Sequence, residues 1–252
     1  MTLLELQEVT KEYPVRLRKG KKNVIAVNQV NLILHEGESL ALVGESGSGK
    51  STIARLITNI ESITSGQILL DGKSIHRKDL KYYHLYKNIQ LVLQDSATSL
   101  HPKMTVQEII TEPIRNFFPN EKNWNDICVQ LLTLVGLDAT FLTRYAHQLS
   151  GGQKQRVCMA KALAVQPKLI IFDESIASLD RLSQIAIIKM LKSIQVQEQI
   201  TYLFITHDLQ SAKHLCNRVA VMQEGKIVEI FSDWDEEKLK HPYTKLLFRH
   251  SQ

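Results

Sequence analysis

Ser39-Leu40-Ala41-Leu42-Val43, then Gly44-Glu45-Ser46-Gly47-Ser48-Gly49-Lys50-Ser51-Thr52, then the apolar-periodic Ile53 to Ile60, is the stretch on which the fold turns. The first five residues read as a buried strand, the glycine-rich segment as a tight loop, and the last run as a helix. Strand, loop and helix in that order are the setting a phosphate-binding loop requires. Its glycines let backbone N–H groups converge on an anion, and the helix N-terminus adds partial positive charge. Lys50 is spaced to reach the β and γ phosphates of a nucleoside triphosphate, and Ser51 to ligate Mg²⁺. All nine residues from Gly44 to Thr52 are therefore candidate nucleotide contacts.

Outward from this loop, compact apolar runs at Ile89 to Leu93, Leu169 to Phe172 and Tyr202 to Ile205 lie between helical stretches. Together with Ser39 to Val43 they read as buried parallel strands. Runs at Leu3 to Val9, Val27 to Leu34 and Gln67 to Leu70, with the turn signal Asp71-Gly72, predict an antiparallel portion near the N-terminus. Ser99 to Gln166 has helical periodicity, with helices expected at Val106 to Arg115, Trp124 to Val135 and Gly151 to Ala164, broken by Pro119-Asn120 and Gly136. Arg218 to Val221 and Lys226 to Ile230 flank Glu224-Gly225 as a hairpin, and Asp235 to Phe248 reads as one closing amphipathic helix. The expected fold is α/β: a P-loop nucleoside triphosphatase core with a mainly parallel sheet, an N-terminal antiparallel β portion and an inserted helical subdomain. About 1–98 and 167–234 form the core, about 99–166 the helical subdomain and 235–252 the tail.

Composition narrows the class without choosing the chemistry. The 252 residues, 44% hydrophobic and 23% charged, suit a folded globular chain. No apolar run reaches the roughly 18 residues needed to cross a bilayer, and the first residues lack the basic start of a secretory signal. Three scattered cysteines, Cys128, Cys158 and Cys216, lack the close pairing of zinc or redox sites and fit a reducing compartment, with Cys158 inside a helix as a small hydrophobe. A net charge of +5 suits nucleic acid, lipid headgroups or a nucleotide ligand alike. The densest basic cluster, Arg16 to Lys22, has no interleaved aromatics for base stacking and reads as a solvated hairpin loop, with a headgroup or partner contact as the alternative.

Two further motifs carry chemistry. The strand Leu169 to Phe172 ends in Asp173-Glu174 at the carboxyl edge of the sheet, where open α/β folds bind ligands. Asp173 is expected to hold Mg²⁺ through its water shell and Glu174 to orient the attacking water; an acidic helix cap is the plainer alternative. Leu149-Ser150-Gly151-Gly152-Gln153 opens a helical stretch and exposes N–H donors, either as a second anion-binding surface or as a helix cap.

With the loop and the acidic pair, Leu149 to Gln153 makes the chain resemble the ATP-binding cassette family over essentially its whole length. That resemblance implies ATP and Mg²⁺ as ligands and an ATPase coupled to transmembrane transport. It also implies an adenine-stacking role for Tyr13, Mg²⁺ sensing and membrane-subunit contact for Gln94, a D-loop at Ser178-Leu179-Asp180, and γ-phosphate contact for His207. Lys50, Glu174 and His207 are then the catalytic set, with Ser51, Gln94 and Asp173 around Mg²⁺. Leu149 to Gln153 would act on ATP held by a partner cassette, so that one chain supplies half of each site. Ser175-Ile176 stands where the family has Pro-Thr, and Ala177 where it has Ser.

Gln94 to Val106, the extended loop between Tyr13 and Ala26, and His241-Pro242-Tyr243-Thr244-Lys245-Leu246-Leu247 are similar to the oligopeptide, dipeptide and nickel importer group, in its second-ATPase type. This implies a second ATPase subunit in a heterodimer, two membrane permeases, an extracytoplasmic solute-binding protein and no nucleic acid. The expected location is peripheral, on the cytoplasmic face of the membrane. The short run after the tail motif leans towards nickel, cobalt or a metal chelate as cargo, with peptides otherwise. A non-transport or regulatory ATPase of the same family is the alternative.

Overall fold

The computed structural model describes residues 1–17, 20–76, 82–93, 99–177 and 179–250. In chain order its elements are β1 (Thr2–Leu17), β2 (Gly20–His35), β3 (Ser39–Val43), α1 (Lys50–Ile57), β4 (Ser65–Leu70), β5 (Lys73–Ser74), α2 (Tyr82–Asn88) and β6 (Ile89–Val92). There follow α3 (Val106–Phe117), α4 (Trp124–Leu134), α5 (Gly151–Leu163), β7 (Leu169–Asp173), α6 (Arg181–Glu198) and β8 (Thr201–Thr206). The chain then forms α7 (Leu209–Leu215), β9 (Arg218–Gln223), β10 (Lys226–Phe231) and α8 (Pro242–His250). Two compact units result, 1–81 with 201–252, and 82–200.

In the first unit β3 lies between β8 and β9, parallel to both, and β10 closes the edge antiparallel to β9. Every residue of β3 and of β8 is buried. Unbroken apolar runs are what parallel strands covered on both faces require, since neither face meets water. The strand β9, expected only as half of a hairpin, is also the parallel neighbour of β3: a four-residue apolar run cannot declare which partner it will take. A second, antiparallel sheet has the order β2-β1-β4-β5. Its β4–β5 turn uses Asp71 (φ 49°) and Gly72 (φ 70°), and the β9–β10 turn uses Glu224 (φ 47°) and Gly225 (φ 80°). Two consecutive positive φ angles match the right-handed twist of the strands they join.

The β1–β2 ladder corrects the expectation of a loop at residues 16–22. Pairing continues through Val15↔Lys22 and Arg16↔Lys21 to Leu17↔Gly20. Hydrogen bonding is a backbone property, so a basic stretch can extend an existing ladder while its side chains stay polar. The closing helix also differs from expectation: Glu236–Lys238 is a single 3₁₀ turn, and α8 begins only at Pro242. Proline disfavours helical geometry in the residue before it and is pre-shaped for a helix's first position. The Glu229 carboxylate accepts from the Lys240 and His241 N–H groups at 2.7 and 3.1 Å, which satisfies donors that a continuous helix would have used internally.

In the second unit β6 and β7 are parallel, and α3, α4 and α5 pack against one another. Thr105 and Glu108 form a reciprocal capping box at the start of α3. α4 stops at Gly136 (φ 71°): the Leu137 N–H reaches the Leu132 carbonyl at 2.8 Å and the Gly136 N–H that of Thr133 at 2.9 Å. That pair of bonds is the usual glycine-terminated helix ending. Among the described residues no helix is long and apolar enough to cross a membrane.

Leu42 has no solvent exposure and pairs in register with Ile205 and Ala220 on either side. Leu42→Ala is expected to destabilise the fold by about 2–5 kcal/mol, read as a lower urea midpoint at unchanged slope.

Candidate nucleotide-binding site

The loop between β3 and α1 is shaped by what crowds it. Gly49 caps α1 in the left-handed region (φ 109°), and a Cβ there would lie 2.4 Å from the Ala26 carbonyl oxygen and 2.7 Å from Met222 Cε. A Cβ on Gly44 would lie 2.1 Å from the Met222 carbonyl oxygen. The β9–β10 turn adds a direct bond, Gly225 N–H to the Ser48 carbonyl at 2.9 Å. Lys50, only 3% exposed, donates through Nζ to the Gly44 and Glu45 carbonyl oxygens at 2.8 Å each. The buried Ser48 hydroxyl has no protein partner, whereas a Cβ on Gly47 would meet nothing within 4 Å. A glycine-shaped loop at a helix N-terminus, with an ammonium and a hydroxyl that has no protein partner, suits the phosphates of a nucleotide.

Tyr13 is held beside this loop by charge. Its hydroxyl donates to Glu61, which also pairs with Arg55 at 3.3 Å and Lys11 at 3.7 Å, while Lys11 Nζ lies 4.9 Å from the Tyr13 ring centroid. Burial and the Glu61 contact raise the phenol's pKa, the Thr52 hydroxyl and Arg55 charge pulling the other way. The Tyr13 hydrogen bond, with Arg55 and Lys11, lowers that of Glu61. His207 follows β8, and since Val43 pairs with Thr206, it leaves the sheet at the same edge as Gly44.

In the second unit Asp173 ends β7 and Glu174 follows with φ 49°, a left-handed angle that side chains other than glycine seldom take. Backbone bonds from Ala177 N–H to the Glu174 carbonyl and from Leu179 N–H to the Ile176 carbonyl, both 3.2 Å, close the next turns. Gln184 on α6 adds its side-chain N–H to the Ile176 carbonyl at 3.2 Å. Ser150 caps α5: its hydroxyl accepts from Gln153 N–H at 3.3 Å, and the Gln153 side chain accepts from Ser150 N–H at 2.9 Å. Asp180 caps α6 through Ser183 N–H at 3.0 Å and the Ser183 hydroxyl at 2.6 Å, contacts that lower its pKa. A Cβ on Gly151 would sit 3.6 Å from Leu179, and one on Gly152 3.6 Å from Ser183. Leu149 to Gln153 and Leu179-Asp180 are thus brought together. Gln94 and Ser178 lie outside the described residues.

Glu61, Met222, Gly225 and Tyr243, whose hydroxyl accepts from Glu45 N–H at 3.0 Å, are site residues that sequence reasoning missed. Only the Glu224-Gly225 turn and the His241 to Leu247 motif left a signal, and neither said what it would touch. Cys128 and Cys158 are pushed up by burial to about 11 and about 12, so both thiols stay protonated. Because the carboxyl pKa of Glu61 is lowered, its stabilising contribution is complete above the ordinary carboxylate range and is lost as pH falls through the lowered value. The urea midpoints of wild type and Glu61→Gln are accordingly expected to differ at about pH 7 and to converge as the pH falls through the lowered carboxyl value.

The family model described as ABC transporter matches residues 27–177. The oligopeptide transport ATP-binding protein OppF of Lactococcus lactis subsp. lactis (strain IL1403) is 41% identical over 251 residues, covering 97% of this chain and 79% of that protein. The dipeptide transport ATP-binding protein DppF of Lactococcus lactis subsp. cremoris (strain MG1363) is 42% identical, covering 94% and 78%. Among solved structures, the ATP-binding cassette MJ0796, dimeric in a post-hydrolysis state with ADP and Pi, has a TM-score of 0.78 at 27% identity, covering 91% of this chain and 98% of that one. A phosphate loop crowded into shape by β2 and β9, a capped glycine pair at the start of α5, and this similarity along almost the entire chain make it a member of the ABC transporter family, an ATPase coupled to transport.

Proposed function

We propose that this chain is the ATP-hydrolysing subunit of a peptide importer. The observation that carries the cargo class is the identity of 40–42% to proteins named for oligopeptide and dipeptide transport, over 94–97% of the chain. The expected lean towards nickel, cobalt or a metal chelate has no support among those relatives.

In the reaction, N–H groups of the Gly44 to Thr52 loop, that of Glu45 being taken by Tyr243, bind the phosphates and Lys50 reaches the β and γ oxygens. Tyr13 offers its ring to adenine, its hydroxyl being already engaged by Glu61. Ser51 and Asp173 provide a hydroxyl and a carboxylate, the hard oxygen donors Mg²⁺ takes, and Gln94 is proposed beside them. The bound ion would neutralise charge on the β and γ phosphate oxygens. Glu174 orients and polarises water for in-line attack, and His207 contacts the γ phosphate. Leu149 to Gln153, with Ser178, Leu179 and Asp180, faces ATP held by a partner cassette. ATP then favours the closed pair because it binds that state better, and hydrolysis removes the bias.

The proposed assembly has a second ATPase subunit, two membrane permeases and an extracytoplasmic solute-binding protein, with this chain on the cytoplasmic face. In the purified complex, Lys50→Ala is expected to weaken ATP binding by about tenfold or more. Glu174→Gln should bind ATP normally while hydrolysis falls roughly a hundredfold or more, trapping the closed pair; wild-type turnover in that variant would refute the assignment. A deletion strain should lose uptake of labelled di- and oligopeptides and keep that of nickel, and the reverse pattern would overturn the cargo.

A further inference from the structure

A part-buried contact in the first unit ties the C-terminal helix to the glycine-rich loop. Tyr243, at the second position of α8, accepts a hydrogen bond from the Glu45 N–H at 3.0 Å, 198 residues away in sequence. That N–H belongs to the same peptide group as the Gly44 carbonyl, which accepts from Lys50 Nζ at 2.8 Å. A peptide group is a rigid plane, so aiming one end fixes the other. The dihedrals that would let this plane swing are ψ of Gly44 and φ of Glu45, and the first belongs to the residue type that resists rotation least. An external anchor at this plane therefore restrains a rotation that the chain itself resists little.

We infer that Tyr243 is a positioning residue of the ATPase: its hydroxyl holds the Gly44–Glu45 peptide plane and, through it, one of the two carbonyls that orient Lys50. The inference rests on the reading of Gly44 to Thr52 as the ATP site.

The anchor itself is well fixed. Tyr243 is only 8% exposed, and its ring leaves few torsions to lose. The turn into α8 is tied by Glu229 on β10 to the Lys240 and His241 N–H groups. At the other end of the helix the Phe248 ring meets Phe231 at 5.6 Å and Trp234 at 5.8 Å. The β9–β10 hairpin that carries Glu229 also bonds the loop at Ser48 through Gly225. The tail thus adds a second clamp, at Glu45, to the one the hairpin makes at Ser48.

Tyr243→Phe keeps the ring and removes the acceptor, leaving the Glu45 N–H unpaired and the plane free to rotate. Lys50 serves bound ATP and the transition state alike, so the loss should fall on KM and spare kcat. In the assembled transporter KM for ATP is expected to rise roughly five- to tenfold with kcat within about twofold. On the unsubstituted protein, amide hydrogen exchange at Glu45 should be slow for a loop N–H. Two results would overturn the inference: a folded Tyr243→Phe complex with wild-type KM, whatever its stability, or Glu45 exchange at the rate of an unprotected peptide. Fast exchange at Glu45 would overturn the inference even where the variant does not fold. An inactive wild-type complex would instead count against the ATPase reading itself, and would be seen before any variant is made.

Discussion

The first unit centres on a glycine-rich loop against which backbone from elsewhere in the chain presses closely. Ala26 and Met222 come within 2.4 and 2.1 Å of where side chains on Gly49 and Gly44 would begin. Glycine meets both demands, tolerating positive φ and leaving room for the neighbouring carbonyls. The same crowding limits how far the loop backbone can shift, and a backbone site gains strength from being fixed before its ligand arrives. β2 and the β9–β10 turn are consequently part of the site although none of their side chains is expected to touch a nucleotide.

In the second unit the side chains of the recognised motifs do a different job from the one their chemistry first suggests. Ser150 and Gln153 are engaged with each other's backbone at the start of α5, and Asp180 with Ser183 at the start of α6. The helix-cap reading of Leu149 to Gln153 therefore describes these side chains. Capping also holds the helix N-terminus ordered and leaves Gly151 and Gly152 unencumbered, so cap and anion surface are compatible.

The departures at Ser175, Ile176 and Ala177 are accommodated by the same economy. The turns after Glu174 are closed by backbone N–H groups of Ala177 and Leu179 and by the Gln184 side chain on a backbone carbonyl. These bonds do not depend on which side chains occupy positions 175 and 176. Ser175 and Ile176 are both buried, and the Ser175 hydroxyl has no protein partner. Nothing in the structure explains why serine stands there.

The family, the phosphate loop and the strands were legible in the sequence because each depends on local pattern. Glycine spacing, an acidic pair after an apolar run, and unbroken hydrophobicity at β3, β7 and β8 follow from neighbours along the chain. The bend before Pro242 was local too, but periodicity across Asp235 to Phe248 masked it. Partnership over long separations was not legible: that β9 flanks β3, that Glu61 takes the Tyr13 hydroxyl, that Met222 and Tyr243 close on the loop. Each is a contact between residues whose own neighbours say nothing of the other. The sequence by itself determined which segment takes the strand, tight loop and helix form proposed to bind phosphate, since backbone shape there is dictated by glycine. Only the tertiary structure decided what holds that segment still, because hydrogen bonds such as that from Glu45 to Tyr243 exist only once distant strands and the tail have packed.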